Sequence, residues 1–201
     1  MTGNIPNSLI ERLSTAGQLS VRAKIFYDVW RCYYDELNKE DQFHYTVNLY
    51  TEFFRFDYHA HLMCFVVSYA ALLEPRADTI NLGQLVKETL DVAAVSTVER
   101  TEINDLLDKV LKFRSPIMML RNNAFAHRST SLSYNSVFKK AQITPNELRD
   151  LSADVLKLTN RLLIACNLKD KIANTMAADD LLESRPLTTQ NSLGRRRFSA
   201  D

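Results

Sequence analysis

Glycine is scarce in this chain of 201 residues, which has only Gly3, Gly17, Gly83 and Gly194, and runs of alternating β-branched residues are missing. A sheet needs both the turns that glycine permits and the alternation that gives a strand two faces, so helix is the expectation throughout. Cysteine is limited to Cys32, Cys64 and Cys166. They are odd in number, widely spaced and set in apolar helical patterns, which argues for reduced thiols; no CxxC pair or Cys/His cluster offers a zinc site. Excess charge is lacking too. With 25 Lys and Arg against 24 Asp and Glu, a net charge of +1 gives no global attraction to nucleic acid or to an anionic membrane, so any such contact must be local. The most apolar run, Leu62 to Leu73, falls short of a bilayer, and Met1 to Gly17 has neither a basic start nor a continuous apolar stretch. These absences predict a cytoplasmic chain with no membrane partner. Its length and its 46% hydrophobic content suit one domain with a sizeable core.

What is present is helical periodicity. Val21, Ile25, Phe26, Val29 and Trp30, with Arg22, Lys24, Asp28 and Arg31 between them, predict an amphipathic helix to about Leu37, ended by the polar stretch Asn38 to Gln42. Phe53, Phe54, Tyr58, Leu62, Phe65, Val66, Tyr69, Ala70 and Leu73 mark a second helix whose last part is apolar on nearly every face and should be the centre of the core. Pro75 breaks it, and Asp78 to Asn81 reads as a loop before a shorter helix carrying Leu82, Leu85, Val86 and Leu90. Thr97 is the expected N-cap of a helix with Ile103, Leu106, Leu107, Val110 and Leu111. Ser115-Pro116 and Thr144-Pro145 both have the pattern of an N-cap followed by proline. The first opens a fresh helix from Ile117 to about His127 or a kinked continuation of the preceding one. The second opens a long helix with Leu148, Leu151, Val155, Leu158, Leu162, Leu163 and Ala165. Arg128 to Ile143 lacks clear periodicity and reads as a surface loop. The fold expected is an all-α, up-and-down helical bundle over residues 1–183. The remainder, within RPLTTQNSLGRRRFSAD, is expected to be a disordered, flexible tail.

One stretch could carry chemistry: Arg121-Asn122-Asn123-Ala124-Phe125-Ala126-His127, which follows an apolar helical run and precedes a polar loop. On a continuous α-helix Arg121 and His127 are about 9 Å apart along the axis and about 120° apart in azimuth. One copy alone therefore makes a loose site, whereas two copies facing each other across a two-fold axis can bring the arginine of one to the histidine of the other.

With Arg121, Asn122 and His127 in that spacing, RNNAFAH resembles the signature of the HEPN domains (higher eukaryotes and prokaryotes nucleotide-binding): Arg, often Asn or another polar residue, then four to six residues, then His. The long helices before it, the apolar helix running into ALLEPRADTINLGQLV, and the loop and closing helix after RNNAFAHRS are similar to abortive-infection HEPN proteins, over roughly Ser20 to Leu168. Arg-Asn-x4-His arises by chance in roughly one chain of this length in a hundred, against about half for an unrestricted Arg-x4-6-His, so the asparagine supplies most of the specificity. The resemblance implies a homodimeric helical bundle, frequently a toxin or phage-defence ribonuclease that cuts RNA with no cofactor or metal, and it brings in an antitoxin or defence-system protein as a further partner. In that chemistry the 2′-hydroxyl of RNA attacks the adjacent phosphate. A histidine can exchange protons near neutral pH, a guanidinium stays charged and can hold two phosphoryl oxygens, and Asn122 could orient either the phosphate or the histidine. Arg128 and Arg114 would add local phosphate attraction.

Other residues have plainer readings. Arg121 and Asn122 could be a solvated helix end and His127 a C-cap. His59 and His61 are two apart and point in different directions on a helix, so packing suits them better than metal binding. The aromatic residues Phe26, Tyr27, Trp30, Tyr33 and Tyr34 fit a core or dimer surface better than a base-stacking platform. The alternative to a ribonuclease is a non-catalytic HEPN module that binds nucleotide, RNA or protein, which the near-neutral charge favours.

Overall fold

A computed structural model of the chain describes residues 5–37, 48–76, 78–126 and 134–171, and among these there is no strand. The elements are α1 (Asn7–Leu37), α2 (Thr51–Leu73), α3 (Leu82–Val92), α4 (Thr97–Leu111), α5 (Arg114–Leu120), a π-helical segment (Arg121–Ala126), α6 (Tyr134–Ala141), α7 (Pro145–Ala165) and a 3-10 turn (Lys169–Lys171). The all-α bundle expected from the glycine-poor sequence is the one observed. His127, Arg128 and the expected tail after residue 183 lie outside the described residues.

α1 packs along both α2 and α7, and α4 also packs on α7. It begins well before Val21, at Asn7, because its buried seam is made differently from the pattern that sequence periodicity detects. Leu9, Leu13, Ala16, Ser20, Ala23, Tyr27 and Trp30 are all buried, at alternating steps of four and three residues. The middle of that seam is Ala, Ser and Ala, whose small side chains let a neighbouring backbone approach but give little hydrophobic signal. The Ser20 hydroxyl donates to the Ala16 carbonyl at 2.7 Å, so it is buried without being left unpaired.

Aromatic rings fill the wider end. Tyr27 packs on Phe65 with ring centroids 5.4 Å apart, Trp30 on Tyr58 at 5.8 Å, and Phe65 edge-on to Tyr69 at 4.7 Å. The last half of α2 is the core centre, with Leu62, Phe65, Val66, Tyr69, Ala70, Leu72 and Leu73 buried. Extending the apolar run of Leu62 to Leu73 back to Thr51 makes α2 long and apolar enough to cross a membrane by length and composition. These buried side chains are nevertheless committed to packing within the bundle. The three cysteines are free thiols, Cys166 buried and the other two half-buried.

Several element boundaries differ from expectation for identifiable reasons. The N-cap of α4 is Ser96, not Thr97: Ser96 Oγ accepts from Glu99 N at 3.2 Å and Glu99 returns the bond to Ser96 N at 2.8 Å. The glutamate three residues on selects the serine. Thr144 and Glu147 form the same reciprocal pair at 3.2 and 2.7 Å, with Pro145 at the first helical position as expected. Ser115-Pro116 does not open a helix, because α5 starts at Arg114 after a turn in which Lys112 and Phe113 keep right-handed backbone angles. The segment is therefore the kinked continuation, and Pro116 falls in the first turn, where a missing N–H costs no intrahelical bond. The expected loop from Arg128 to Ile143 contains α6, which buries Val137 and Ala141 one turn apart, too short a stretch to register as periodicity. α7 ends where Asn167 takes φ 58° and Leu168 N reaches back to Leu163 O at 2.8 Å, a Schellman closure.

Truncating Phe65 to alanine should cost about 3–5 kcal/mol and Thr144→Ala about 1 kcal/mol, read as shifts in urea midpoint at unchanged slope. Arg12 donates to both carboxylate oxygens of Glu88, tying α1 to α3, and this hydrogen bond is the chief reason the Glu88 carboxyl is held below its usual range. Because its folded pKa lies below the unfolded value, the contribution is present above about pH 4.3 and is lost as pH falls through the folded value. Glu88→Gln should therefore flatten part of the loss of stability on acidification below about pH 4.3, by less than ~1 kcal/mol for a pair this close to solvent.

Candidate functional site

The RNNAFA stretch does not continue as an α-helix. After α5, the segment Arg121–Ala126 is π-helical, so each N–H reaches back five residues instead of four and the ladder gains one residue of register. The 120° azimuth expected for Arg121 and His127 on an ideal helix therefore no longer applies. A π segment is a locally costly way to wind a chain, and such segments occur mostly as single turns at functional sites.

The segment is wedged between α6 and α2, whose C-terminal residue, Leu73, directly precedes Glu74. Arg121 Nη1 donates to Glu74 Oε2 at 3.3 Å, with the two side chains 32% and 21% exposed. The guanidinium is thus tethered on one side and open on another, so it keeps donors for an incoming anion. The tether exists because Pro75 ends α2 and leaves Glu74 at its C-cap in extended conformation. Asn122 is exposed. Asn123 instead donates from Nδ2 to Met119 O, one turn back, at 3.0 Å.

Arg114 opens α5 seven residues before Arg121, which puts it on the same helix face about 10 Å away along the axis. Arg114 and Arg121 therefore share one helix face, whereas Asn122, exposed, lies about 100° round from it. The catalytic pairing of Arg121 with His127, and the contribution of Arg128, involve residues outside the described ones. The residue that sequence reasoning missed is Glu74. It lies 47 positions away in sequence and nothing local distinguishes it from any other glutamate before a proline.

The remaining candidates take their plainer roles. His61 Nδ1 lies 2.8 Å from Asp57 O and its ring packs against Phe26 and Tyr33. His59 packs edge-on against Tyr58, with burial pushing its pKa down. Tyr27 and Trp30 are buried. Among the described residues no three His, Cys, Asp or Glu side chains come together as a metal cage.

A family profile for the HEPN domains called AbiU2 matches residues 7–183. The chain belongs to this AbiU2 family of HEPN domains. The match begins at the first residue of α1 and is broader than the Ser20 to Leu168 span of the sequence resemblance. Neither curated proteins nor solved structures give a match. Within the AbiU2 domain, the described part of the motif, Arg121–Ala126, continues directly from α5.

The Arg121–Glu74 pair should show a coupling of about 0.2–1 kcal/mol in a double-mutant cycle of Arg121→Gln and Glu74→Gln, as expected for a partly exposed ion pair. A coupling indistinguishable from zero would mean the tether is not held in solution.

Proposed function

We propose that this AbiU2-family protein is a metal-independent endoribonuclease, working in a toxin or phage-defence system and using a site to which two copies of the chain contribute. The observation that carries this reading is the placement of Arg121. It sits on a π turn, tethered by Glu74 and preceded on the same face by Arg114. Family membership supports it, since the motif RNNAFAH lies inside the matched residues.

In the proposed reaction the 2′-oxygen of one nucleotide attacks the adjacent phosphorus while its proton passes to a base. The bond to the 5′-oxygen of the next nucleotide breaks, that oxygen takes a proton, and the products are a 2′,3′-cyclic phosphate and a 5′-hydroxyl. His127 is assigned the proton transfers, because an imidazole is the side chain that both accepts and donates near neutral pH. Arg121 holds the non-bridging phosphoryl oxygens and offsets the charge that builds on them. Asn122 orients phosphate or imidazole, while Arg114 and Arg128 hold flanking phosphates. No metal or cofactor enters this scheme. Glu74 is a positioning residue: it fixes the guanidinium before RNA arrives. The setting is the cytoplasm, and an antitoxin or other defence-system protein would restrain the activity.

A second reading, a HEPN module that binds RNA, nucleotide or protein without cutting, is favoured by one observation. The net charge of +1 supplies no broad electrostatic capture of RNA.

The deciding experiment is cleavage of a labelled structured RNA by the purified chain in EDTA. Under the ribonuclease reading His127→Ala and Arg121→Ala each lower the rate by about 10²-fold or more, and the wild-type products carry 2′,3′-cyclic ends. Glu74→Gln lowers turnover less than either and tightens RNA binding, since it removes a competing carboxylate. Absence of cutting, or equal cutting by all variants, would move the assignment to the binding module.

A further inference from the structure

One face of α2 is apolar yet uncovered. Phe53 is 63% exposed, Phe56 75%, Met63 39% and Val67 45%, and just before the helix Leu49 and Tyr50 are 60% and 62% exposed. Within the helix the spacing is regular. Phe53, Phe56, Ala60, Met63 and Val67 follow one another at steps of three, four, three and four residues, the pattern by which a helix presents a straight seam to another helix. The opposite face of the same helix carries the buried core residues Leu62, Phe65, Val66 and Tyr69.

At roughly 200 Å² per large side chain, the exposed fractions leave about 700 Å² of apolar surface. That exceeds the largest patch of an ordinary monomer and approaches the ~800 Å² that each partner buries in a stable interface. The acidic side chains flanking the seam are already engaged within the chain: Glu52 by Arg55 at 3.0 Å, and Asp57 by the Tyr33 hydroxyl at 2.6 Å. A like copy would therefore meet no uncompensated carboxylates. Ala60, in the middle of the seam, permits close approach of a second helix.

The seam also has a direction. One heptad beyond Val67 is Glu74, the residue that holds Arg121, so the apolar stripe runs into the candidate site. We propose that the seam is covered by the same seam of a second copy, α2 against α2 in parallel around a two-fold axis. The parallel sense rests on the shared-site reading above, while the use of the seam does not. In parallel, the two Arg121–Glu74 ends lie side by side about 10 Å beyond the Val67 pair; antiparallel pairing would set them roughly 40 Å apart.

The test is light scattering and sedimentation equilibrium on the full chain at micromolar concentration, without RNA. The wild type should run at twice its 23.1 kDa monomer mass. Phe53→Glu with Phe56→Glu should run as a monomer, with association weakened at least a hundred-fold and an unchanged far-ultraviolet circular dichroism spectrum. Val98→Glu, on an apolar side chain 69% exposed outside the seam, should remain dimeric. In a Cys64→Ala background, Val67→Cys should form a disulfide-linked dimer with itself under mild oxidation. A monomeric wild type, including one that instead binds phosphatidylcholine vesicles, overturns the proposal, as does a dimer indifferent to the glutamates. A glutamate-sensitive dimer whose Val67→Cys variant fails to self-link overturns the parallel arrangement. A self-linking dimer that leaves RNA uncut supports the seam and counts against the ribonuclease reading alone.

Discussion

The bundle depends on α1 lying close to two helices at once. Its seam meets α2 and α7 along most of its length, and only a chain that narrows to Ala16, Ser20 and Ala23 in the middle and widens to Tyr27 and Trp30 at the end can do so. Larger side chains at the centre would push the helices apart and open voids around the buried rings of Phe65 and Tyr69. The position of the C-terminal end of α2 follows from that contact. Glu74, and through it Arg121, stand where they do because the core holds the helix they terminate.

The elements that could be read from sequence share a property: their signals are local. The Thr144-Pro145 cap, the break at Pro75, and the apolar positions of α3, α4 and α7 are set by residues within a turn or two of each other. Thr144-Pro145 worked as read because Glu147 completes its pair; Ser115-Pro116 failed because no partner three residues on competes with continuing the helix from α4. The first half of α1 was hidden by small seam residues, and α6 by its brevity. The candidate site divided the same way. Arg121, Asn122 and Arg114 are legible as a spacing, whereas the tether to Glu74 is a tertiary contact and the π winding is an accommodation between neighbours, neither of which a single sequence spells out.

Family membership and geometry bear on different parts of the functional reading. Membership accounts for the fold and the position of the motif. The geometry adds that the arginine is tethered yet partly open, and that an exposed apolar face of α2 runs toward it. A site completed by a second copy would have its activity set by protein concentration.

The π segment also has an evolutionary consequence. Because a π turn holds one residue more than the α winding it replaces, losing a single codon between positions 121 and 126 would let the ladder relax to ordinary winding without changing the register of the helix that leads into it. The core residues Ile117 and Leu120 lie before that point and would stay in place. A lineage could thus shorten the spacing between Arg121 and the residues that follow it by one in-frame deletion while keeping the core, and restore it by one insertion.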